Sequence, residues 1–204
     1  MNIEGKELEV KFMLSRREDM VGKLNSLAKI TAARVLEVNL RFDTDDRVLT
    51  SMGKVLRLRR DSRSRITYKG PGIVEGGASL RQELEFGVSD FDTAKAVFEA
   101  LGYQVYTIYE KYRTTYQLEN TEVDLDELPT GDFLEIEGED PKSIQKIANL
   151  LGLSWETRIM ESYLVLFERL RVKLGLDIRD LSFENFKDMK ISPDMMGIKV
   201  ADQA

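Results

Sequence analysis

The chain has 204 residues, room for one good-sized domain, and its 42% hydrophobic and 32% charged residues describe a globular protein and exclude disorder as the main state. It contains no Cys and no His, which excludes disulfides, thiolate zinc sites, cysteine nucleophiles, Ser-His triads and most transition-metal sites. A net charge of −6 argues against a nonspecific nucleic-acid binder, and no apolar run approaches the ~20 residues a membrane-spanning helix needs.

The N-terminus, from Met1 to Lys6, lacks the basic and apolar regions of a signal peptide, so the expected location is the cytoplasm. Glu7-Leu8-Glu9-Val10-Lys11-Phe12 alternates charged with apolar residues, which predicts a strand. Ser15 and Glu18 have capping-box spacing, and the helix they open places Met20, Leu24, Leu27 and Ala28 on one face. Strands are expected from Val35 to Phe42, after Gly53, where Leu56 and Leu58 alternate with Arg57 and Arg59, and from Ile66 to Lys69.

A glycine-rich loop, Pro71 to Ala78, separates two similar halves. The second half opens with the strand Arg81-Gln82-Glu83-Leu84-Glu85-Phe86. Ser89 then stands as an N-cap with Asp92 at N3, and a helix runs through Ala94, Val97, Phe98 and Leu101 to Gly102. Three strands follow: Tyr103 to Gln117, Glu122 to Leu128, and Asp132 to Glu137. Asp140 as N-cap and Pro141 at N1 predict a helix to about Leu151. Trp155 to Leu174 reads as one further amphipathic helix. The rest, through Phe183, Phe186 and Met189, reads as a short helix and a loose tail. Glu-x-Glu strands feeding helices thus occur three times, which points to a repeated unit.

Charges dominate the strand centres. The acids are Glu7, Glu9, Glu83, Glu85, Asp124, Asp126, Glu135 and Glu137; the bases are Lys11, Arg57, Arg59, Lys69, Arg81, Lys111 and Arg113. For any single strand, an ordinary sheet with its charged face in water explains the pattern. The whole set fits another arrangement better. About eight antiparallel strands suffice to close a barrel, and apolar faces turned outward against helices leave the charges lining the interior. Burying so many charges is not a stability device, because desolvation offsets most of the Coulomb gain. A charged tunnel therefore reads as a site, its bases suited to a polyanion and its paired acids to Mg²⁺ or Mn²⁺. The expected fold class is α+β: a closed antiparallel eight-stranded barrel with helices outside and two pseudo-repeated halves.

Glu7-x-Glu9-x-Lys11 resembles the ExExK signature of the CYTH superfamily, the triphosphate tunnel metalloenzymes. Phe42-Asp43-Thr44, Gly53-Lys54-Val55-Leu56-Arg57-Leu58-Arg59 and Thr67-Tyr68-Lys69-Gly70-Pro71 are similar to successive family segments. So are Arg81-x-Glu83-x-Glu85, Lys111-x-Arg113, the run from Asp126 to Glu137, and Ser162-Tyr163. The resemblance covers about residues 3 to 170. It implies a tunnel domain over 1–170 and leaves 171–204 as a C-terminal helical extension and tail.

The resemblance implies metal-dependent chemistry on a small-molecule triphosphate, with neither nucleic acid nor membrane as partner and with homodimerisation left open. Lys11, Arg57, Arg59, Lys69, Arg81, Lys111 and Arg113 would hold the triphosphate. Glu7, Glu9, Asp126, Glu135 and Glu137 would hold the cation; Asp124 shares the parity of Asp126, but the family pattern supports only Asp126. Glu83 and Glu85 stand as metal ligands or as carboxylates that position the bases. Lys11 and Lys69 are candidate catalytic proton carriers, since neighbouring cations lower a lysine's pKa; simple phosphate clamping is the competing role. Three functions remain: a triphosphatase, an adenylyl cyclase of the class IV type, and a non-catalytic polyphosphate binder. The intact carboxylate pairs disfavour the last. Asn39-Leu40-Arg41-Phe42 lacks the Gln and Tyr of the cyclase-like strand, and no residue signals an adenine pocket, which favours the hydrolase.

Overall fold

Nine antiparallel strands form one sheet in the computed structural model, which describes residues 5–203. The reading of the N-terminus as free of a targeting signal falls mainly on residues 1–4, outside the described residues. The strands are β1 (Lys6–Leu14), β2 (Lys29–Asp43), β3 (Val55–Arg60), β4 (Ser64–Lys69), β5 (Ile73–Glu75), β6 (Ala78–Val88), β7 (Gln104–Leu118), β8 (Thr121–Leu128) and β9 (Gly131–Glu137). Pairing runs β1-β9-β8-β7-β2-β3-β4-β6, and β6 returns to β1, so eight strands close a ring with β5 as a ninth beside β6. The expected closed antiparallel barrel is the observed fold.

Register carries the sequence alternation into space. Residues directly opposite in an antiparallel pair point to the same face. Lys11 stands opposite Glu135, Arg59 opposite Asn39, Arg57 opposite both Arg41 and Thr67, Lys69 opposite Glu83, and Arg113 opposite Asp126. The charged faces are therefore one continuous interior. β2 and β7, the longest pair, carry register shifts near Ala32 and Arg41, and such bulges increase the bend and twist that closure demands.

The helices are α1 (Arg17–Leu27), α2 (Val48–Ser51), α3 (Phe91–Ala100), α4 (Pro141–Leu150), α5 (Tyr163–Leu174) and α6 (Phe183–Phe186). The apolar core has three parts, two outside the ring and a third, built on Met13, Leu128 and Phe133, on the inner face at one end of it. Leu8, Val10, Phe12, Val123, Leu134 and Ile136 pack beneath Met20 and Leu24 of α1 and Ile144 and Ile147 of α4. Leu40, Phe42 and Leu58 pack beneath Ala94 and Phe98 of α3. Met13, Leu128 and Phe133 meet Leu166, Phe167 and Leu170 of α5 together with Leu181, Phe186 and Met196. Each fully buried Leu, Ile or Phe contributes roughly 1.5–3 kcal/mol.

Several local expectations are corrected. Ser15 does not cap α1: the N-cap is Arg16, without a side-chain cap. Asp202 supplies the acceptor instead, taking bonds from the Ser15 amide (2.9 Å), the Arg16 amide (2.7 Å) and the Ser15 hydroxyl (2.8 Å). The tail is therefore docked, and the Ala201 amide bonds the Met13 carbonyl at 2.8 Å. The cap of α3 is Asp90, one residue later than expected. The glycine-rich loop contains β5 and a two-residue turn to β6, in which Gly76 and Gly77 both adopt positive φ (55° and 83°), as a primed hairpin turn requires. The single helix expected from Trp155 to Leu174 is broken: a short 3₁₀ turn (Trp155–Thr157) leads to Ile159, which pairs with Lys11 on β1, and α5 begins only at Tyr163. Helices do not cover every outer strand face, since Leu84 and Phe86 of β6 remain 51% and 60% exposed. Among the described residues, no helix is long and apolar enough to cross a membrane.

Candidate functional site

A cavity of about 650 Å³ runs inside the ring, and its lining carries more basic than acidic side chains. Glu7, Glu9, Lys11, Arg57, Arg59, Lys69, Arg81, Glu83, Glu85, Lys111, Arg113, Glu135 and Glu137 all line it, as the alternation predicted. Asp126 and Asp124 are buried beside it on β8.

Three carboxylates converge at one place. Glu7, Glu9 and Glu135, from β1 and β9, each present an oxygen within 4.8 Å of the other two. Adjacent positions of one parity on β1, and the β1–β9 register, produce this cluster. Burial, aided by Glu135 and Glu7, pushes Glu9 up to about 7. Burial likewise raises Glu7, though Lys69 opposes it. Glu137 is pushed up to about 8 by burial and by Glu7, Glu122 and Glu9. Among these four acids, burial is outweighed only at Glu135, which Lys11 and Arg113 hold well below the carboxylate range. This donor set fits a hard cation: all its ligand atoms are oxygens, and its negative charges repel one another.

The two lysines sit among these acids. Lys11 donates to Glu9 and lies 3.6 Å from Glu135; Lys69 donates to Glu7 and lies 3.1 Å from Glu83. Burial lowers both, but the surrounding carboxylates win and hold both above the ordinary lysine value. The expectation that flanking cations lower them is corrected, because their nearest neighbours are anions.

A second cluster centres on Asp126, which is fully buried. It accepts from Lys111 Nζ at 2.8 Å, from Arg113 Nε and Nη2 at 2.6 Å each, and from the Tyr163 hydroxyl at 2.9 Å. Asp126 shares Arg113 and Tyr163 with Glu135 but stands apart from the three-carboxylate group. Asp124 pairs with Arg113 at 2.5 Å, yet burial still pushes it up to about 7.

The third cluster is cationic. Arg57 donates to Thr67 Oγ1 at 3.0 Å and to the Tyr109 hydroxyl at 3.1 Å, with Glu85 at 3.6 Å. Arg59 donates to Asn39 Oδ1 at 3.1 Å and to Glu37 at 3.2 Å. Tyr109 would be raised by burial, but Arg57, Arg59 and Lys111 lower it. Arg81 spends its donors on the Gly70 and Gly53 carbonyls at 2.8–3.1 Å, so it ties two turns together at the cavity wall.

Sequence reasoning gave no role to Glu37, Asn39, Arg41, Thr67, Tyr109 or Tyr163. The first three were readable, since Glu37, Asn39 and Arg41 share the parity opposite Val38, Leu40 and Phe42. Tyr109 shares the parity of Lys111 and Arg113. Tyr163 had no parity signal, because it enters the barrel from the first turn of a helix; only the resemblance at Ser162-Tyr163 touched it.

Residues 5–163 match a family model described as the CYTH domain. A Methanocaldococcus jannaschii protein called "Putative adenylate cyclase MJ0240" is 27% identical over 171 residues, covering 78% of this chain and 97% of that protein. The X-ray structure of a Vibrio parahaemolyticus protein described as a "putative adenylate cyclase" superposes with a TM-score of 0.73 at 21% identity, covering 81% of this chain and 99% of that one. A Hippeastrum protein, described as a "Putative adenylyl cyclase" with a dominant triphosphatase activity, superposes with a TM-score of 0.61 at 17% identity, covering 79% and 95%. At these identities the two solved structures establish likeness of fold.

Proposed function

The chain belongs to the CYTH domain family, and on that premise we propose that it is a divalent-metal-dependent hydrolase of a triphosphate held inside the barrel. One observation carries the reading: a three-carboxylate cluster and an arginine cluster face the same interior cavity. A phosphate chain needs the second, and a hard cation accompanying it needs the first.

Glu7, Glu9 and Glu135 would hold Mg²⁺ or Mn²⁺, with Glu137 adjacent. When bound, such a cation supplies charge neutralisation to phosphoryl oxygens. The chain's own residues do the rest. Arg57, Arg59, Lys111 and Arg113 bind phosphoryl oxygens in a fixed array, so the charge of the transition state meets donors already in place. Thr67, Tyr109, Asn39 and Glu37 hold the two arginines in position. Asp126, ringed by Lys111, Arg113 and Tyr163, fits the orienting of those bases better than the direct holding of metal. Lys11 and Lys69, whose carboxylate neighbours hold them above the ordinary lysine value in the metal-free site, suit phosphate clamps. Glu83 and Glu85 lie 3.9 and 3.6 Å from Arg57 Nη2, which suits carboxylates that position bases.

A second reading has a specific basis, since all three similar proteins named above are described as a "putative" adenylate or adenylyl cyclase. In it the ribose 3′-hydroxyl of ATP attacks the α-phosphorus and pyrophosphate leaves. Incubation with Mg²⁺ or Mn²⁺ and ATP, tripolyphosphate or thiamine triphosphate separates the two. Release of orthophosphate supports hydrolysis; cyclic AMP with pyrophosphate replaces it with cyclisation; no change in any substrate removes both.

A further inference from the structure

Two hydroxyls accept from the Arg57 guanidinium, and they differ in what becomes of their own hydrogens. Thr67 Oγ1 takes Nε at 3.3 Å and Nη2 at 3.0 Å, and donates in turn to Glu85 at 2.7 Å. Tyr109 takes Nη1 at 3.1 Å, and among the described residues its hydroxyl hydrogen meets no acceptor. Yet Tyr109 is only 7% exposed and lines the interior cavity, since it shares the inward parity of Lys111 and Arg113 on β7. A free donor at such depth costs free energy until an acceptor arrives.

Further free donors lie beside it. With Nε, Nη1 and Nη2 each giving one bond, Arg57 retains a free N–H on both Nη1 and Nη2. Opposite Tyr109 on β2 stands Asn39, whose Oδ1 accepts from Arg59 and whose buried Nδ2 has no partner among the described residues. The wall built by β2, β3 and β7 therefore carries donors in want of acceptors, which suits the oxygens of a polyanion.

We propose that Tyr109 is a catalytic residue whose hydroxyl donates to a phosphoryl oxygen that Arg57 also holds, while Thr67 only positions the arginine. The inference rests on the triphosphate reading given above and deepens it. A donor fixed where negative charge grows during transfer lowers the barrier more than it tightens the ground state. Ionisation separates the two roles. A phenolate accepts from Arg57 better than a phenol does, but it has no hydrogen to donate. A donating role therefore fails at alkaline pH, and an accepting role does not. The groups facing Tyr109 bring that ionisation within reach. Burial raises the phenol, but Arg57 and Arg59 of β3 and Lys111 of β7 outweigh it and hold it below the ordinary tyrosine value. Arg41 of β2 faces it too. The carboxylates of Glu37, Glu83 and Glu85 stand against the two arginines, and that of Asp180 accepts from the Ile108 amide. From α5, Tyr163 shares the apolar cluster of Tyr109 and turns its hydroxyl to Asp126. Lys11 and Lys69 are held above the ordinary lysine value, so they titrate after Tyr109.

The test follows hydrolysis of ATP or tripolyphosphate, whichever the wild type turns over faster, with Mg²⁺ and across pH. The proteins compared are the wild type, Tyr109→Phe, Thr67→Val, and a form in which Tyr109 is replaced by a difluorinated tyrosine. Y109F should lower kcat/KM about tenfold or more, mainly through kcat, and should lack the alkaline decline of the wild type. T67V should keep that decline, whatever it loses in rate. Fluorination makes the phenol more acidic with little change of shape, so the decline should move to lower pH. Equal melting temperatures show that Y109F is folded; if it is not, the fluorinated protein decides alone. A decline that fluorination leaves in place, or a Y109F variant with wild-type kcat, overturns this inference while the triphosphatase reading stands. Failure of the wild type to bind or hydrolyse any triphosphate removes both.

Discussion

The Tyr163 hydroxyl, at the first residue of α5, donates to the carboxylate of Asp126 on β8 at 2.9 Å. The same oxygen lies 3.2 Å from Glu135, so one side chain of an external helix ties together two strands of the barrel interior. α5 is thereby both a cover for the mouth and part of the wall.

Tyr163→Phe tests that tie. The ring keeps its edge contact with Phe133 at 5.1 Å, so packing is preserved while two buried carboxylates lose a donor. Hydrogen bonds to charged groups contribute about 1.5–3 kcal/mol, and chemical denaturation should report a loss of that size. A loss below about 0.5 kcal/mol would mean that the hydroxyl contributes little and packing alone holds α5.

Glu9→Gln should separate folding from metal binding. Glu9 is pushed up to about 7 because burial and two neighbouring carboxylates oppose its charge. Removing that charge relieves repulsion, so at pH 8 the metal-free variant should melt no lower than the wild type. The rise in Tm that millimolar Mg²⁺ or Mn²⁺ gives the wild type should shrink sharply in the variant. If E9Q gains as much from metal as the wild type, Glu9 is not a ligand.

The acids also set a pH dependence. Glu9 and Asp124, at about 7, and Glu137, at about 8, bind protons more tightly folded than unfolded. Their contribution is fully present below the ordinary carboxylate values and is lost as pH rises through 7 and 8. Glu37 and Glu135 are shifted downward, so theirs is lost only in acid, and Lys11 and Lys69 are shifted upward, so theirs fades only at high pH. Between pH 5 and 8 the metal-free protein should therefore lose stability as pH rises. Denaturation in EDTA measures this, and a flat or rising profile over that window would contradict the crowding of the interior acids. Divalent cation should reduce the slope.

The strands were legible because period-2 alternation, once the ring closes, is the same information as inside and outside. Glu7, Glu9 and Lys11 could be placed on one face from the sequence, and so could Arg57 and Arg59. Residues that depend on distant segments were not legible. Asp202 caps α1 from the far end of the chain, and nothing local to Ser15 signals it. The break before α5 has the same character: Ile159 leaves helical geometry because its amide and carbonyl pair with Lys11. The lysine environments were misread because a sequence gives parity but not which opposite charge is nearest. Lys69 finds Glu83 on its paired strand β6 and Glu7 on β1, one strand further round the ring.

The arginines should divide by what they touch. Arg57 and Arg59 point into the cavity, and their partners are neutral hydroxyls, an amide oxygen and carboxylates that leave further donors for a phosphate. Arg57→Ala or Arg59→Ala should lower kcat/KM for a triphosphate by about 10²-fold or more, equivalent to ~2.7 kcal/mol, with both kcat and KM affected. Arg81 is committed to the carbonyls of Gly70 and Gly53, so Arg81→Ala should cost stability first and catalysis less. Unfolding measurements on the three variants separate these effects from kinetics. Substrate length gives an internal control: pyrophosphate, one phosphoryl group shorter, should bind the wild type more weakly and lose less when Arg57 or Arg59 is removed. If both variants keep wild-type kinetics on triphosphates, the cationic cluster lies outside the reaction and the interior serves another ligand.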